Sequence, residues 1–75
     1  MKNKIFSTNL FFNGEPYNFQ TYNIFTLEDL IIFFNYKPNL IVVEYNGKIT
    51  QPKIWSKIKV KNKDKIEFVT IVGGG

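Results

Sequence analysis

Apolar and polar residues alternate along most of this chain, and the alternation gives way once to a helical spacing. Residues 5–12, IFSTNLFF, are rich in aromatic and β-branched types and predict a strand. Asn13-Gly14-Glu15-Pro16 follows, and Asn-Gly between two strand-like runs is a strong signal for a tight hairpin. Residues 17–22, YNFQTY, alternate aromatic with polar and predict the return strand. From Thr26 the period changes: Leu27, Leu30, Ile31 and Phe34 fall at helical spacing. Thr26 is placed to cap this helix, with Asp29 three residues on as the acidic partner of a capping box. Glu28 and Asp29 stand in the first turn, where the helix dipole favours anions. Pro38 disfavours helical geometry just before it, so the helix should fade near Asn35 to Lys37 after roughly ten residues.

Beyond the helix, Leu40 to Tyr45, LIVVEY, predicts a third strand. Asn46-Gly47 gives a second tight turn, and Lys48-Ile49-Thr50 a short return strand. Pro52 to Trp55 reads as a turn or a short 3₁₀ segment. Lys57 to Lys61 alternates again, Asn62-Lys63-Asp64 turns the chain, and Lys65 to Val72 is the last and most continuous strand. The order is β-β-α-β-(β)-β, which places the chain in the α+β class. It suggests a β-grasp, a mixed sheet of four to five strands packed on one helix. The first and last strands would then lie side by side and parallel at the centre. Alternation turns Leu10, Phe12, Ile41, Val43, Ile66, Phe68 and Thr70 toward the helix. Phe11, Val42, Val69 and Ile71 then face outward, beside the charged Glu44 and Glu67, as an apolar patch suited to docking a partner.

Composition narrows the chemistry. A chain of 75 residues makes one domain, here residues 1–72, with Gly73-Gly74-Gly75 as a flexible tail. There is no Cys and no His, which removes disulfides, thiolate metal sites and the commonest general base. The carboxylates Glu15, Glu28, Asp29, Glu44, Asp64 and Glu67 read as solvated charge; Glu28 and Asp29, though adjacent, do not share a helix face. The chain is therefore expected not to be an enzyme. The net charge of +4 comes with a row of lysines at 57, 59, 61, 63 and 65, split by the turn at 62–64. Such a row reads as a solvated strand edge rather than a nucleic-acid site, because the aromatics are wanted in the core. No apolar stretch approaches the ~20 residues of a membrane span. The amino-terminal residues lack the apolar core of a signal peptide. Many Lys, Asn, Ile, Phe and Tyr, with no Ala or Arg, point to an A/T-rich genome, that of an organelle or a reduced bacterium. The expected location is the cytoplasm or, for an organelle-encoded chain, the plastid stroma.

The sequence closes on Thr70-Ile71-Val72-Gly73-Gly74-Gly75. Three glycines make a thin, bendable thread that reaches ~10 Å when extended. The functional group it would deliver is the α-carboxylate of Gly75. A free carboxylate acylates poorly until it is activated. Attack on the α-phosphate of ATP would give an acyl-adenylate and pyrophosphate, and a sulfur nucleophile would then displace AMP. The metal and cationic groups for that step would belong to a partner.

These residues resemble the ThiS family of sulfur carriers of thiamine biosynthesis. The resemblance runs through FFNGEPY, TLEDL, VVEYNGKITQPKIW and above all KDKIEFVTIVGGG. It implies a ubiquitin-like β-grasp fold. It also implies that a ThiF-type enzyme, using ATP and Mg, adenylates Gly75 while this chain binds no cofactor itself. Sulfur from a cysteine desulfurase route would make the Gly75 thiocarboxylate, which a ThiG-type thiazole synthase would consume. Gly73 and Gly74 would form the approach into the partner's active site. Neither a membrane nor a nucleic acid enters this scheme. A MoaD-type carrier for molybdopterin and a ubiquitin-like protein modifier use the same terminal chemistry and stand as alternatives.

Overall fold

The structure, a computed structural model, describes residues 4–71. Five strands and one helix follow in the order β1 (Phe6–Phe12), β2 (Glu15–Thr21), α1 (Leu27–Phe33), β3 (Ile41–Tyr45), β4 (Lys48–Thr50) and β5 (Lys65–Thr70). Short 3₁₀ turns cover Pro38–Leu40 and Pro52–Lys57. The sheet order is β2-β1-β5-β3-β4, with β1 and β5 parallel and the other pairs antiparallel. This is the β-grasp arrangement, with the last strand in the middle of the sheet.

Both hairpins are two-residue turns. Asn13 and Gly14 have φ of 51° and 81°, and Asn46 and Gly47 have 52° and 85°. Positive φ at both central positions is the turn whose twist matches the strands, and asparagine followed by glycine adopts it at least cost. β2 begins at Glu15, so Pro16 lies inside an edge strand, where a missing N–H costs no ladder bond.

The helix starts as its sequence dictates. The Thr26 hydroxyl accepts from the Asp29 N–H at 3.2 Å, and the Asp29 carboxylate accepts from the Thr26 N–H at 3.0 Å. It ends sooner than the spacing suggests, at Phe33, with Phe34 as C-cap and Asn35 at φ 60°. Leu27, Leu30 and Ile31 are buried against the sheet. Phe34 is half-buried and stacks on Phe12 with ring centres 4.1 Å apart.

The core is Leu10 and Phe12 from β1, the three helix residues, Ile41 and Val43 from β3, and Ile66 and Phe68 from β5. Trp55 and Val60, from the connection before β5, complete it. The Trp55 indole N–H donates to the Thr50 hydroxyl at 2.9 Å, and that hydroxyl donates to the Val43 carbonyl at 3.0 Å. Thr70, expected to point inward, is exposed, because β1 has ended and leaves that flank of β5 open, while its partner Ile41 on the β3 side stays buried.

Asp64 corrects the expectation of a solvated charge. It is 7% exposed and accepts three hydrogen bonds. They come from the Tyr45 hydroxyl at 2.6 Å, the Asn46 side-chain amide at 3.1 Å and the Lys61 N–H at 2.8 Å. Burial, and then the neighbouring Asp64 carboxylate, push the Tyr45 hydroxyl up to about 12 from 10.0. A tyrosine whose folded pKa is raised contributes stability that is intact below pH 10 and is lost as the pH climbs toward about 12. Wild type should therefore lose stability across that window faster than Tyr45→Phe, measured by denaturant midpoints at each pH. Asp64→Ala orphans three donors and should cost about 3 kcal/mol at neutral pH, read from urea unfolding.

Candidate functional site

β5 is gripped from both flanks. On the β1 side, the Phe11 N–H donates to the Asp64 carbonyl and the Asn13 N–H to the Ile66 carbonyl, both at 2.9 Å. β1 then ends, and the Asn13 side-chain oxygen takes over, accepting from the Phe68 N–H at 2.8 Å. On the β3 side the Asn46 side-chain oxygen accepts from the Lys65 N–H at 2.8 Å, while the Asn46 N–H donates to the Lys65 carbonyl at 2.7 Å. The Ile71 N–H donates to the Leu40 carbonyl at 2.7 Å, one residue beyond the strand proper. The two hairpin asparagines thus serve twice, as turn formers and as clamps on the last strand.

The sheet face away from the helix is uncovered. Val42 and Val69 are direct cross-strand partners. Val69 and Ile71 are about half exposed, at 50% and 48%. The structure brings these three expected patch residues together. Phe11, also exposed at 45%, stands apart from them. Its partner on β5 is Lys65, so Glu67 lies between it and Val69 along that strand. A hollow lined by Phe11, Gly14, Lys65, Ile66 and Glu67 marks this end of the face. Ile49, a partner of Glu44 and 69% exposed, and Leu40, 42% exposed, extend the apolar surface and were not foreseen. The alternation in Lys48-Ile49-Thr50 carried the signal for Ile49, but a three-residue strand gives it little weight.

Glu44 and Glu67 are also direct partners. The bonds at Asn46–Lys65 and Ile71–Leu40 make every second pair between them hydrogen-bonded, and Glu44–Glu67 is one, with Cα atoms ~5.5 Å apart. Like charges directly opposed on one face are destabilising.

Gly73, Gly74 and Gly75, expected as approach and modified residue, lie outside the described residues, as does Val72. Among the described residues no three carboxylates gather as a metal would need, and no helix is long and apolar enough to cross a membrane.

Residues 10–75 match the sequence profile of the ThiS family. The chain is 49% identical over 65 residues to a protein described as "Uncharacterized protein ycf40" in Trieres chinensis, a stretch covering 87% of this chain and 86% of that one. It is 32% identical over 63 residues to a thiazole synthase of Magnetococcus marinus; the stretch covers 84% of this chain and 19% of that protein. Its fold is similar to the crystal structure of the thiamine biosynthesis protein ThiS from Geobacter metallireducens, with a TM-score of 0.79 and 26% identity over 91% of this chain and 100% of that one.

The clamp on β5 is testable. Asn13→Gly keeps the left-handed turn but removes the acceptor of the Phe68 N–H. Hydrogen exchange at that amide should quicken by about tenfold, the equivalent of one net hydrogen bond. Asn13→Asp, which retains an acceptor, should keep the wild-type rate.

Proposed function

The chain belongs to the ThiS family, and on that premise we propose that it carries sulfur for assembly of the thiazole ring of thiamine. The observation that carries this reading is the family match itself, which runs through residue 75 and so includes the three glycines. The fold supports it. β5 is locked at Lys65, Ile66 and Phe68, so the last residues would leave from a fixed point.

The chemistry lies at the Gly75 carboxylate. One of its oxygens attacks the α-phosphorus of ATP held with Mg by a ThiF-type enzyme, and pyrophosphate leaves. The terminal sulfur of a persulfide from a cysteine desulfurase route then attacks the acyl carbon, and AMP leaves. A partner thiolate cleaves the resulting acyl disulfide by exchange, forming a disulfide on the partner and freeing the sulfur on Gly75. The resulting thiocarboxylate delivers its sulfur to a ThiG-type thiazole synthase. Gly73 and Gly74 thread the partner's channel, since a Cβ at either would widen the thread. This chain binds no cofactor in the scheme; it acts as a carrier on which partner enzymes work. The receiving partner is supported by the thiazole synthase of Magnetococcus marinus, of which a stretch resembling this chain makes up 19%. In an organelle-encoded setting the reaction would run in the plastid stroma, otherwise in the cytoplasm.

A bacterial strain lacking its own thiamine sulfur carrier, but retaining the partner enzymes, tests this reading. Expression of the chain should restore growth without thiamine, and the chain lacking Gly75 should not. Rescue of a molybdenum-cofactor defect alone, or capture of the chain in isopeptide linkage to other proteins, would contradict it.

A further inference from the structure

The open sheet face contains a local conflict. Glu44 and Glu67 oppose each other directly across β3 and β5, which weakens the free domain. Ile49 flanks Glu44 on β4, and Phe11 stands across the hollow from Glu67. Val42 and Val69 form the next cross-strand pair on the same face, followed by Ile71 beside Leu40. Lys65 is one pleat before Glu67 on the same strand and is the cation of this face nearest the pair. A sequence that kept only the stability of the free domain would not place two carboxylates there. Conflicts of this kind mark functional surfaces.

The reach of the chain brings a partner to the end of this face that carries Ile71. Four residues follow Ile71, and fully extended they span at most ~14 Å. An active site that receives Gly75 must therefore approach closely to Ile71, and Val69 and Val42 lie immediately behind it. Resting on the carrier reading above, and because a thiazole synthase of Magnetococcus marinus includes a stretch resembling this chain, we propose that the thiazole synthase docks on this face with a cationic side chain seated over Glu44 and Glu67. Apolar side chains beside that cation cover Val42, Val69 and Ile71. The cation relieves a repulsion present only in the free carrier, and the surrounding apolar contacts shield the pairing from water and salt. The contact thus selects a partner by charge, while the tail supplies the chemistry.

The test is the double variant Glu44→Gln and Glu67→Gln in the full chain, titrated calorimetrically against a thiazole synthase and, separately, against an adenylating enzyme. Its thermal midpoint should equal or exceed that of wild type, since the repulsion is gone. Its affinity for the thiazole synthase should fall at least tenfold, and each single variant should fall between. Unchanged affinity, with wild type still binding, overturns the docking proposal and leaves the carrier reading standing. A loss confined to the adenylating enzyme overturns the assignment of this face to the thiazole synthase. Failure of the wild-type chain to bind either enzyme overturns the carrier reading together with this one.

Discussion

The structure depends on inserting the last strand between two others that are remote from it in sequence. β5 pairs with β1, formed more than 50 residues earlier, and with β3, formed across the connection that holds Trp55. Backbone pairing alone does not hold it. β1 matches only Phe11 and Phe12 with Lys65 and Ile66 before it ends. The grip is extended by Asn13 on one flank and Asn46 on the other, each spending its side-chain oxygen on a β5 N–H. Asp64 fixes the entry to the strand, because its carboxylate ties Tyr45, Asn46 and Lys61 together at the point where the chain turns into β5. Burial of Ile66 and Phe68 under the helix supplies the apolar part of the same attachment.

Function follows from this placement. A central strand cannot fray as an edge strand does, so a segment leaving it starts from a defined position. The same placement puts alternate residues of β5 on the uncovered face, within reach of whatever takes the tail. In the proposed role, one strand would therefore set both the origin of the delivery arm and the surface against which a partner rests. As the proposed carrier the chain would present and hold while partners supply nucleophile, metal and general base, and its lack of Cys and His is consistent with that division of labour.

Much of this was legible in the residues because local and global signals agree. Asn-Gly twice, the Thr26–Asp29 box and the alternation in β1, β3 and β5 each demand what the fold provides. The misses have physical causes. Asp64 looked solvated because its partners Tyr45 and Asn46 come from a distant hairpin, and spacing cannot show a contact made by topology. Trp55 sits in a 3₁₀ turn with no periodicity to turn it inward, and Val60, although part of the 57–61 alternation, belongs to no strand of the sheet that would give the alternation a face. Thr70 continued a valid alternation past the point where β1 flanks β5. Phe11 was grouped with Val69 by face alone, whereas the register between β1 and β5 sets it beside Lys65. That Glu44 meets Glu67 also required the register, since alternation gives the face and not the partner.

The central claim, that the anchored strand presents a carboxylate for activation and sulfur loading, is tested most directly by intact-mass analysis. The full chain would be incubated with an adenylating enzyme, ATP, Mg and a sulfur donor. Replacement of one oxygen by sulfur, mapped to Gly75 by fragmentation, is the expected result. The chain lacking Gly75 should retain its thermal midpoint and gain no sulfur. Sulfur loading that persists in the shortened chain, or that maps to another residue, would contradict the account.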